Sequence, residues 1–247
     1  HPDADTEAHG RIEQVGNPSR RMIDPRLKAI VFDLDGTLAD TAADIREALV
    51  RALANEDLPP IDLASVRLMI GGGPGLLVRR ALDRLGVADD DDRVARLTEG
   101  FHTEYIAQGN RLSELFPGVV PGLERMRSAG LKLGICSNKP DDLCHLLVDS
   151  FDLGNKVDAV LGSGAGLPRK PDPAPLLHVI EKLGATPATT LYVGDSETDV
   201  KVARAAGVTL ALVSYGYTLR HASQLGADGV VDSIIELAPP GPLAQSA

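Results

Sequence analysis

Short apolar runs alternate along the chain with stretches in which apolar residues recur at helical spacing. Six runs are too short for helices and several are rich in Val and Ile, which is typical of buried parallel strands. They cover residues 27–32, 131–136, 159–161, 190–193, 209–213 and 229–231. Helical patterns separate most of them, at 119–129, 141–151, 174–183 and 198–206. This alternation predicts the α/β class, with a doubly wound parallel sheet.

About a hundred residues separate the first two predicted strands, far more than one crossover helix needs. We therefore expect an inserted α-helical cap domain over residues 40–115. Helical spacing recurs in it at 42–53, 75–85 and 94–107, and LPP and GGGPG supply the breaks. The core then comprises 27–39 and 116–238. A disordered leader at 1–26 and a tail at 239–247 complete the predicted organisation.

Composition and charge exclude several classes of protein. The chain has 247 residues, of which 43% are hydrophobic and 24% charged, as in ordinary globular proteins. No apolar run is long enough for a membrane helix, and no secretory signal is apparent, so we expect a cytoplasmic protein. A net charge of −10 without a basic tract argues against nucleic acid as a partner. Cys136 and Cys144 lack metal or disulfide spacing and are interpreted as buried thiols in a reducing compartment.

Polar residues follow three of the predicted strands, and the carboxyl ends of parallel strands are where ligands bind. The first strand leads into DLDGT, the second into SNK and the fourth into GDSETD, while the loop RKPDP precedes the fourth. The candidate site residues in these segments are Asp33, Asp35, Thr37, Ser137, Asn138, Lys170, Asp195 and Asp199. We expect all of them to meet at one edge of the sheet.

Such a cluster of carboxylates repels itself unless a cation is present. Oxygen ligands without His or Cys favour Mg²⁺ over zinc. A magnesium ion beside a lysine and a hydroxyl suits a phosphoryl group, whose oxygens the cations neutralise while one carboxylate attacks in line. The cluster therefore predicts phosphoryl chemistry on a small-molecule phosphate ester.

These residues also carry a resemblance to a known family. DLDGT from Asp33, then Ser137, Lys170 in RKPDP and GDSETD with Asp195 occur in the order seen in the haloacid dehalogenase superfamily of phosphohydrolases. The chain resembles the branch with a helical cap between the first two motifs, and the likeness spans residues 27–237.

The resemblance implies a role for each matching residue. Asp33 corresponds to the nucleophile that forms an aspartyl-phosphate, and Asp35 to the acid that protonates the leaving alcohol and then activates water. Asp33, the backbone carbonyl of Asp35 and Asp195 correspond to the Mg²⁺ ligands. Ser137 and Lys170 correspond to the groups that hold the phosphoryl oxygens. For Asp199, support of the site and stabilisation of a helix N-terminus remain alternatives.

Within the superfamily, three segments resemble bacterial phosphoglycolate phosphatases: DLDGTLADTAADI, IGGGPGLLVRRAL and ADGVVDSIIEL. The resemblance implies hydrolysis of 2-phosphoglycolate. Gly72 and Gly73 of the cap loop, together with Arg80, are the candidate substrate-reading residues. The loop could equally be a mere helix start, and for Arg80 a surface face shared with Arg84 is the favoured alternative.

Other functions share much of this pattern. A phosphomutase of the β-phosphoglucomutase type has the same motifs, and so does a phosphatase for a sugar phosphate, a nucleotide or pyrophosphate. A halide-releasing dehalogenase is disfavoured because Asp35 and Asp195 are both present. A catalytically silent binding protein is disfavoured because no motif residue is missing. The sequence leaves the oligomeric state open between a monomer and a homodimer.

Overall fold

The computed structural model describes residues 24–239, so most of the predicted leader and tail lies outside the described residues. Residues 24–26 of the predicted leader form a turn in which the exposed Arg26 guanidinium pairs with Asp24 at 2.7 Å. No helix in the described part of the chain is both long and apolar enough to span a membrane.

Six strands form one parallel sheet, which confirms the predicted doubly wound α/β class. The strands are β1 (Ala29–Phe32), β4 (Lys132–Pro140), β5 (Ala159–Ser163), β6 (Thr190–Gly194), β7 (Thr209–Val213) and β8 (Gly229–Val231). They lie in the order β5-β4-β1-β6-β7-β8. From the central pair β1 and β6, the sheet continues through β4 and β5 on one side and through β7 and β8 on the other. The junction between β1 and β6 is therefore the topological switch point, where doubly wound sheets bind ligands.

Helices cover both faces of the sheet, so every residue of β1 is buried. Ile30 and Phe32 pack on the face that carries the helices Val119–Ser128 and Asp141–Ser150. Ala29 and Val31 pack on the opposite face, which carries the helices Ala174–Lys182 and Glu197–Ala206. Because successive strand residues point to opposite faces, one apolar run supplies both halves of the core.

The segment between β1 and β4 forms a separate helical layer. Its helices are Ala42–Ala54, Leu63–Arg67, Pro74–Leu85 and Asp91–Gln108. They bury their own apolar cluster, which includes Leu49, Leu82 and Phe101. The Leu63–Arg67 helix was not predicted, because it has a single turn and depends on Asp62 accepting a hydrogen bond from the Ser65 amide.

Two short strands connect this helical layer to the sheet. β2 (Ala39–Asp40) pairs antiparallel with β3 (Glu114–Leu115). Elements of two residues show no periodicity, and sequence analysis therefore missed them. Both ends of the inserted segment leave the core through this ladder.

The second predicted strand was wrong at its end. β4 extends through Ser137 and Asn138 to Pro140, and its pairing with β5 shifts between Cys136 and Pro140. Pairing of Pro140 with Ser163 keeps the polar segment SNK extended. Ser137 and Asn138 therefore lie within the last part of the strand and not beyond it.

Candidate active site

Asp33 lies at the switch point, directly after β1. Its amide donates to the Val193 carbonyl of β6 at 2.8 Å, which holds the chain between the two central strands. The side chain is 5% exposed, and its Oδ1 accepts a hydrogen bond from the Leu34 amide at 2.7 Å. Its Oδ2 lies 3.0 Å from Lys170 Nζ. These contacts fix the orientation of the carboxylate, which also lines the cleft between the sheet and the cap.

Lys170 is buried behind Asp33 and makes three polar contacts. Its Nζ lies 2.9 Å from Asp199 Oδ1 and donates to the Tyr192 hydroxyl at 2.8 Å, in addition to the Asp33 contact. Burial lowers the pKa of Lys170, but the charges of Asp199 and Asp33 outweigh it and hold the pKa above its usual range. The ammonium therefore remains charged at neutral pH.

Asn138 holds the Lys170 loop instead of facing free space. Its Oδ1 accepts from the Lys170 amide at 2.9 Å, and its Nδ2 donates to the Lys170 carbonyl at 2.9 Å and to the Gly71 carbonyl at 3.1 Å. The amide that we expected to bind substrate is committed to these backbone groups. It connects the RKPDP loop to the cap loop.

Asp195 and Asp199 approach the site from the β6 end. Asp195 follows β6 directly, is 3% exposed and accepts from the Tyr217 amide at 2.6 Å. Asp199 is fully buried and forms a capping box with Ser196 at the start of the Glu197–Ala206 helix. Both alternatives for Asp199 therefore describe the same side chain, which caps the helix with one oxygen and contacts Lys170 with the other.

Three carboxylates converge here, and they fit a hard divalent cation. Oxygens of Asp33, Asp195 and Asp199 lie within 4.8 Å of one another. Burial raises the pKa of Asp33 to about 6, although Lys170 opposes it, and burial together with Asp199 raises the pKa of Asp195 well above its ordinary value. Asp199 is already paired with Lys170, so the negative charge left to neutralise is on Asp33 and Asp195. An all-oxygen donor set of this kind suits Mg²⁺.

Asp35 lies in a second polar cluster on the cap side. It accepts from the Thr41 hydroxyl at 2.6 Å and from Lys139 Nζ at 3.2 Å. Lys139 is itself buried, and its Nζ lies 4.4 Å from the centre of the Tyr105 ring on a cap helix. Sequence analysis did not single out Lys139, although a lysine inside a buried strand was the available signal.

A cleft separates the sheet edge from the cap. Its core side includes Asp33, Asp35, Ser137, Asn138 and Lys139, and its cap side includes Gly71 and Gly73. The rest of the lining is mostly apolar and comprises Ile45, Ile70, Pro74, Leu77, Phe101, Pro140 and Leu143. Asp33 and Asp35 thus face a chamber with a largely apolar wall.

Besides Lys170, which lies buried behind Asp33, three of the predicted substrate residues lie outside this lining. Arg80 is exposed, and its guanidinium donates to the Met69 carbonyl at 2.8 Å, which braces the loop before Gly71. Thr37 is fully buried, and its hydroxyl has no hydrogen-bond partner among residues 24–239. Gly72 adjoins Leu76, whose side chain a Cβ at this position would strike at 2.3 Å. The structure therefore does not bring these three residues to the cleft.

Comparison with known proteins agrees with this geometry. A model of the haloacid dehalogenase-like hydrolase family matches residues 30–213. A phosphoglycolate phosphatase of Rhodospirillum rubrum is 39% identical over 215 residues, covering 85% of this chain and 89% of the relative. One from Cereibacter sphaeroides is 41% identical over 197 residues, covering 79% and 88%.

A solved structure shows the same fold. The crystal structure of a predicted phosphoglycolate phosphatase from Haemophilus somnus superposes with a TM-score of 0.80 at 28% identity, covering 86% of this chain and 96% of that one. The match of the family model to most of the chain, and the curated relatives near 40% identity, confirm the membership that the four motifs predicted. The chain belongs to the haloacid dehalogenase-like hydrolase family.

Proposed function

We propose that the protein is a Mg²⁺-dependent phosphatase that hydrolyses a small phosphate monoester, 2-phosphoglycolate, through an aspartyl-phosphate on Asp33. The observation that carries the proposal is the pair of carboxylates two residues apart in one cleft. Asp33 is backed by Lys170 at 3.0 Å, while Asp35 lies on the cap side beside Lys139. The names of the relatives from Rhodospirillum rubrum and Cereibacter sphaeroides support the choice of substrate.

The two carboxylates divide the chemistry between them. A carboxylate oxygen of Asp33 attacks phosphorus, and the ester oxygen leaves with a proton from Asp35. Asp35 then removes a proton from water, which attacks the phosphorus of the aspartyl-phosphate, so that inorganic phosphate departs and Asp33 is regenerated. The chain thereby transfers one phosphoryl group to water and returns to its starting state.

The surrounding residues stabilise charge on the phosphoryl group. We assign to the Ser137 hydroxyl, which lines the cleft, and to Lys170 the role of donating to its oxygens. Lys170 would exchange one of its contacts with Asp33, Asp199 or Tyr192 for the phosphoryl oxygen, and it also offsets the charge of Asp33. When bound, Mg²⁺ neutralises phosphoryl oxygens, and Asp33, Asp195 and the Asp35 carbonyl would hold it. The apolar cap lining limits access of water to the chamber around the ester.

A substrate panel tests this function. The protein with Mg²⁺ is incubated with 2-phosphoglycolate, glucose 1-phosphate, a nucleoside monophosphate and pyrophosphate, and the release of inorganic phosphate is measured for each. We expect the highest kcat/KM for 2-phosphoglycolate. Conversion of glucose 1-phosphate to its 6-phosphate, with no phosphate released from 2-phosphoglycolate, would instead establish a phosphomutase.

A further inference from the structure

Lys139 is a buried cation that has no role in the hydrolysis proposed above. It occupies the strand position after Asn138, and its side chain is 4% exposed. Lys139 is the one cationic residue among the described residues that line the cleft. Burying an ammonium is costly, so a lysine at this position needs anionic partners that compensate for lost hydration.

Only part of the donor capacity of this ammonium is used within the described chain. One contact goes to Asp35 Oδ1 at 3.2 Å, and the Tyr105 ring covers another side at 4.4 Å. An ammonium has three protons to donate. At least one direction therefore remains for an anion that enters the cleft.

The other cations near the site are differently placed. Lys170 is enclosed by Asp33, Asp199 and Tyr192, and the Arg80 guanidinium donates to the Met69 carbonyl. Arg169 is exposed outside the cleft lining, with its guanidinium against Gly73. Lys139 is therefore the cation that faces an anionic leaving group inside the chamber.

We propose that Lys139 binds the carboxylate of the leaving alcohol and sets a preference for phosphate esters of small hydroxy acids over uncharged esters. The inference rests on the proposed function, in which Asp35 protonates the ester oxygen. In a 2-hydroxy acid one carbon separates that oxygen from the carboxylate. A cation 3.2 Å from Asp35 is therefore located where the carboxylate arrives when the ester oxygen meets Asp35.

The test compares two esters that differ in this group, 2-phosphoglycolate and ethyl phosphate. Lys139→Met keeps the length of the side chain and removes its charge. We expect kcat/KM for 2-phosphoglycolate to fall at least about thirtyfold more than kcat/KM for ethyl phosphate, because a buried charge pair with substrate is lost. Equal losses on both esters would show that Lys139 acts only through Asp35, which overturns the proposal.

Two control variants locate the effect. Lys28→Met makes the same change on an exposed lysine at the start of β1, the end of the strand opposite to Asp33, and should leave the ratio of the two kcat/KM values unchanged. Arg169→Met removes the guanidinium beside Gly73 and should change that ratio less than Lys139→Met does. If Arg169→Met changes the ratio and Lys139→Met does not, Arg169 reads the carboxylate and the proposal is wrong.

The unmodified protein gives a measurement that does not depend on the folding of a variant. We expect its kcat/KM to favour 2-phosphoglycolate over ethyl phosphate by at least about tenfold. Equal values overturn the assignment of Lys139 but leave the phosphatase proposal standing. Failure to hydrolyse either ester would instead overturn the phosphatase proposal. Lys139→Gln supplies a second neutral variant if Lys139→Met does not fold.

Discussion

At the scale of single residues, the site concentrates charge that water no longer screens. Asp33, Lys170 and Asp199 are each at most 5% exposed, and Lys170 Nζ lies 3.0 Å from Asp33 and 2.9 Å from Asp199. Removing one partner from such a cluster leaves the others uncompensated, whereas a polar isostere preserves most of the packing. Isosteric substitutions are therefore the way to separate chemistry from folding here.

Asp33→Asn should abolish hydrolysis while the protein still folds. The amide nearly matches the carboxylate in shape but cannot attack phosphorus, so we expect kcat for 2-phosphoglycolate to fall by at least about a thousandfold. Phosphate release measures activity, and circular dichroism checks the fold. Asp149→Asn, on the exposed side of the Asp141–Ser150 helix, is the matched control and should retain full activity. Activity in Asp33→Asn above a tenth of normal would contradict Asp33 as nucleophile.

At the scale of elements, one loop from the core holds the base of the cap. The Tyr217 hydroxyl donates to Asp40 Oδ1 at 2.7 Å and accepts from the Thr41 amide at 2.8 Å. The Tyr217 amide also donates to Asp195, and Arg67 of a cap helix pairs with Asp40 at 2.7 Å. These contacts connect the site after β6 to strand β2, through which the inserted segment leaves the core.

Asp40→Asn tests this connection through the pH dependence of stability. Burial raises the pKa of Asp40, but Tyr217 and Arg67 outweigh it and hold the pKa below its usual value of 3.8. The carboxylate therefore stabilises the fold above pH 3.8, and this contribution is lost as the pH falls through the lowered pKa. Because the pair is partly exposed, we expect the variant to lose about 1 kcal/mol at pH 7 in urea unfolding. The loss should shrink below about pH 4, and an equal loss at every pH would exclude the ionised pair as its cause.

The cap loop can be tested with a pair of glycines. Gly73 has a positive φ of 86°, and a Cβ there would lie 3.1 Å from the Asn138 carbonyl and 3.4 Å from the Arg169 guanidinium. Gly75, on the first turn of the Pro74–Leu85 helix, has nothing within 4 Å of the same position. We expect Gly73→Ala to lower kcat/KM for 2-phosphoglycolate about tenfold or more, because the loop must move away from the cleft.

Gly75→Ala should leave that value within about twofold, since the new methyl group meets open space. Hydrolysis of p-nitrophenyl phosphate distinguishes a loop that recognises the substrate from a loop that only supports the catalytic core. If the loop reads the substrate, Gly73→Ala should affect this artificial ester less than 2-phosphoglycolate. A parallel loss on both esters would mean that the loop supports the catalytic core instead.

At the scale of the whole molecule, function depends on the junction of two separately packed layers. The sheet brings Asp33 and Asp195 together at the switch point, and the cap faces Asp33 with a largely apolar wall. The carboxylates supply more negative charge than Lys170 offsets, in a protein that already has a net charge of −10. The site is therefore expected to depend on an added cation.

Removal of divalent cations should abolish hydrolysis, and Mg²⁺ should restore it while Ca²⁺ inhibits. The higher coordination number of calcium tends to engage both oxygens of Asp33, which leaves neither oxygen free to attack phosphorus. Binding to the folded state should also raise Tm in Mg²⁺ without substrate, and Asp195→Asn should reduce this shift. Full activity after exhaustive chelation would contradict the metal site.

Much of the core was predictable because its signals are local. The apolar run of β1, the turn residues of DLDGT and the capping pattern of SETD each act within a few positions, so their structures follow from neighbouring side chains. Predictions failed where pairing decided the outcome. β4 continues through Ser137 because β5 pairs with it, and β2 exists only because β3 lies opposite.

The sequence by itself determined the fold class, the insertion between the first two core strands and the residues of the four motifs, since periodicity and turn chemistry are written in consecutive positions. Only the tertiary structure decided the surroundings of those residues. Lys139 contacts Asp35 across 104 positions, and Tyr217 contacts Asp40 across 177. The physical reason is that a buried ion pair or hydrogen bond forms between side chains that core packing brings together, however far apart they are in the chain. The spacing of residues along the sequence does not show which elements will pack against each other.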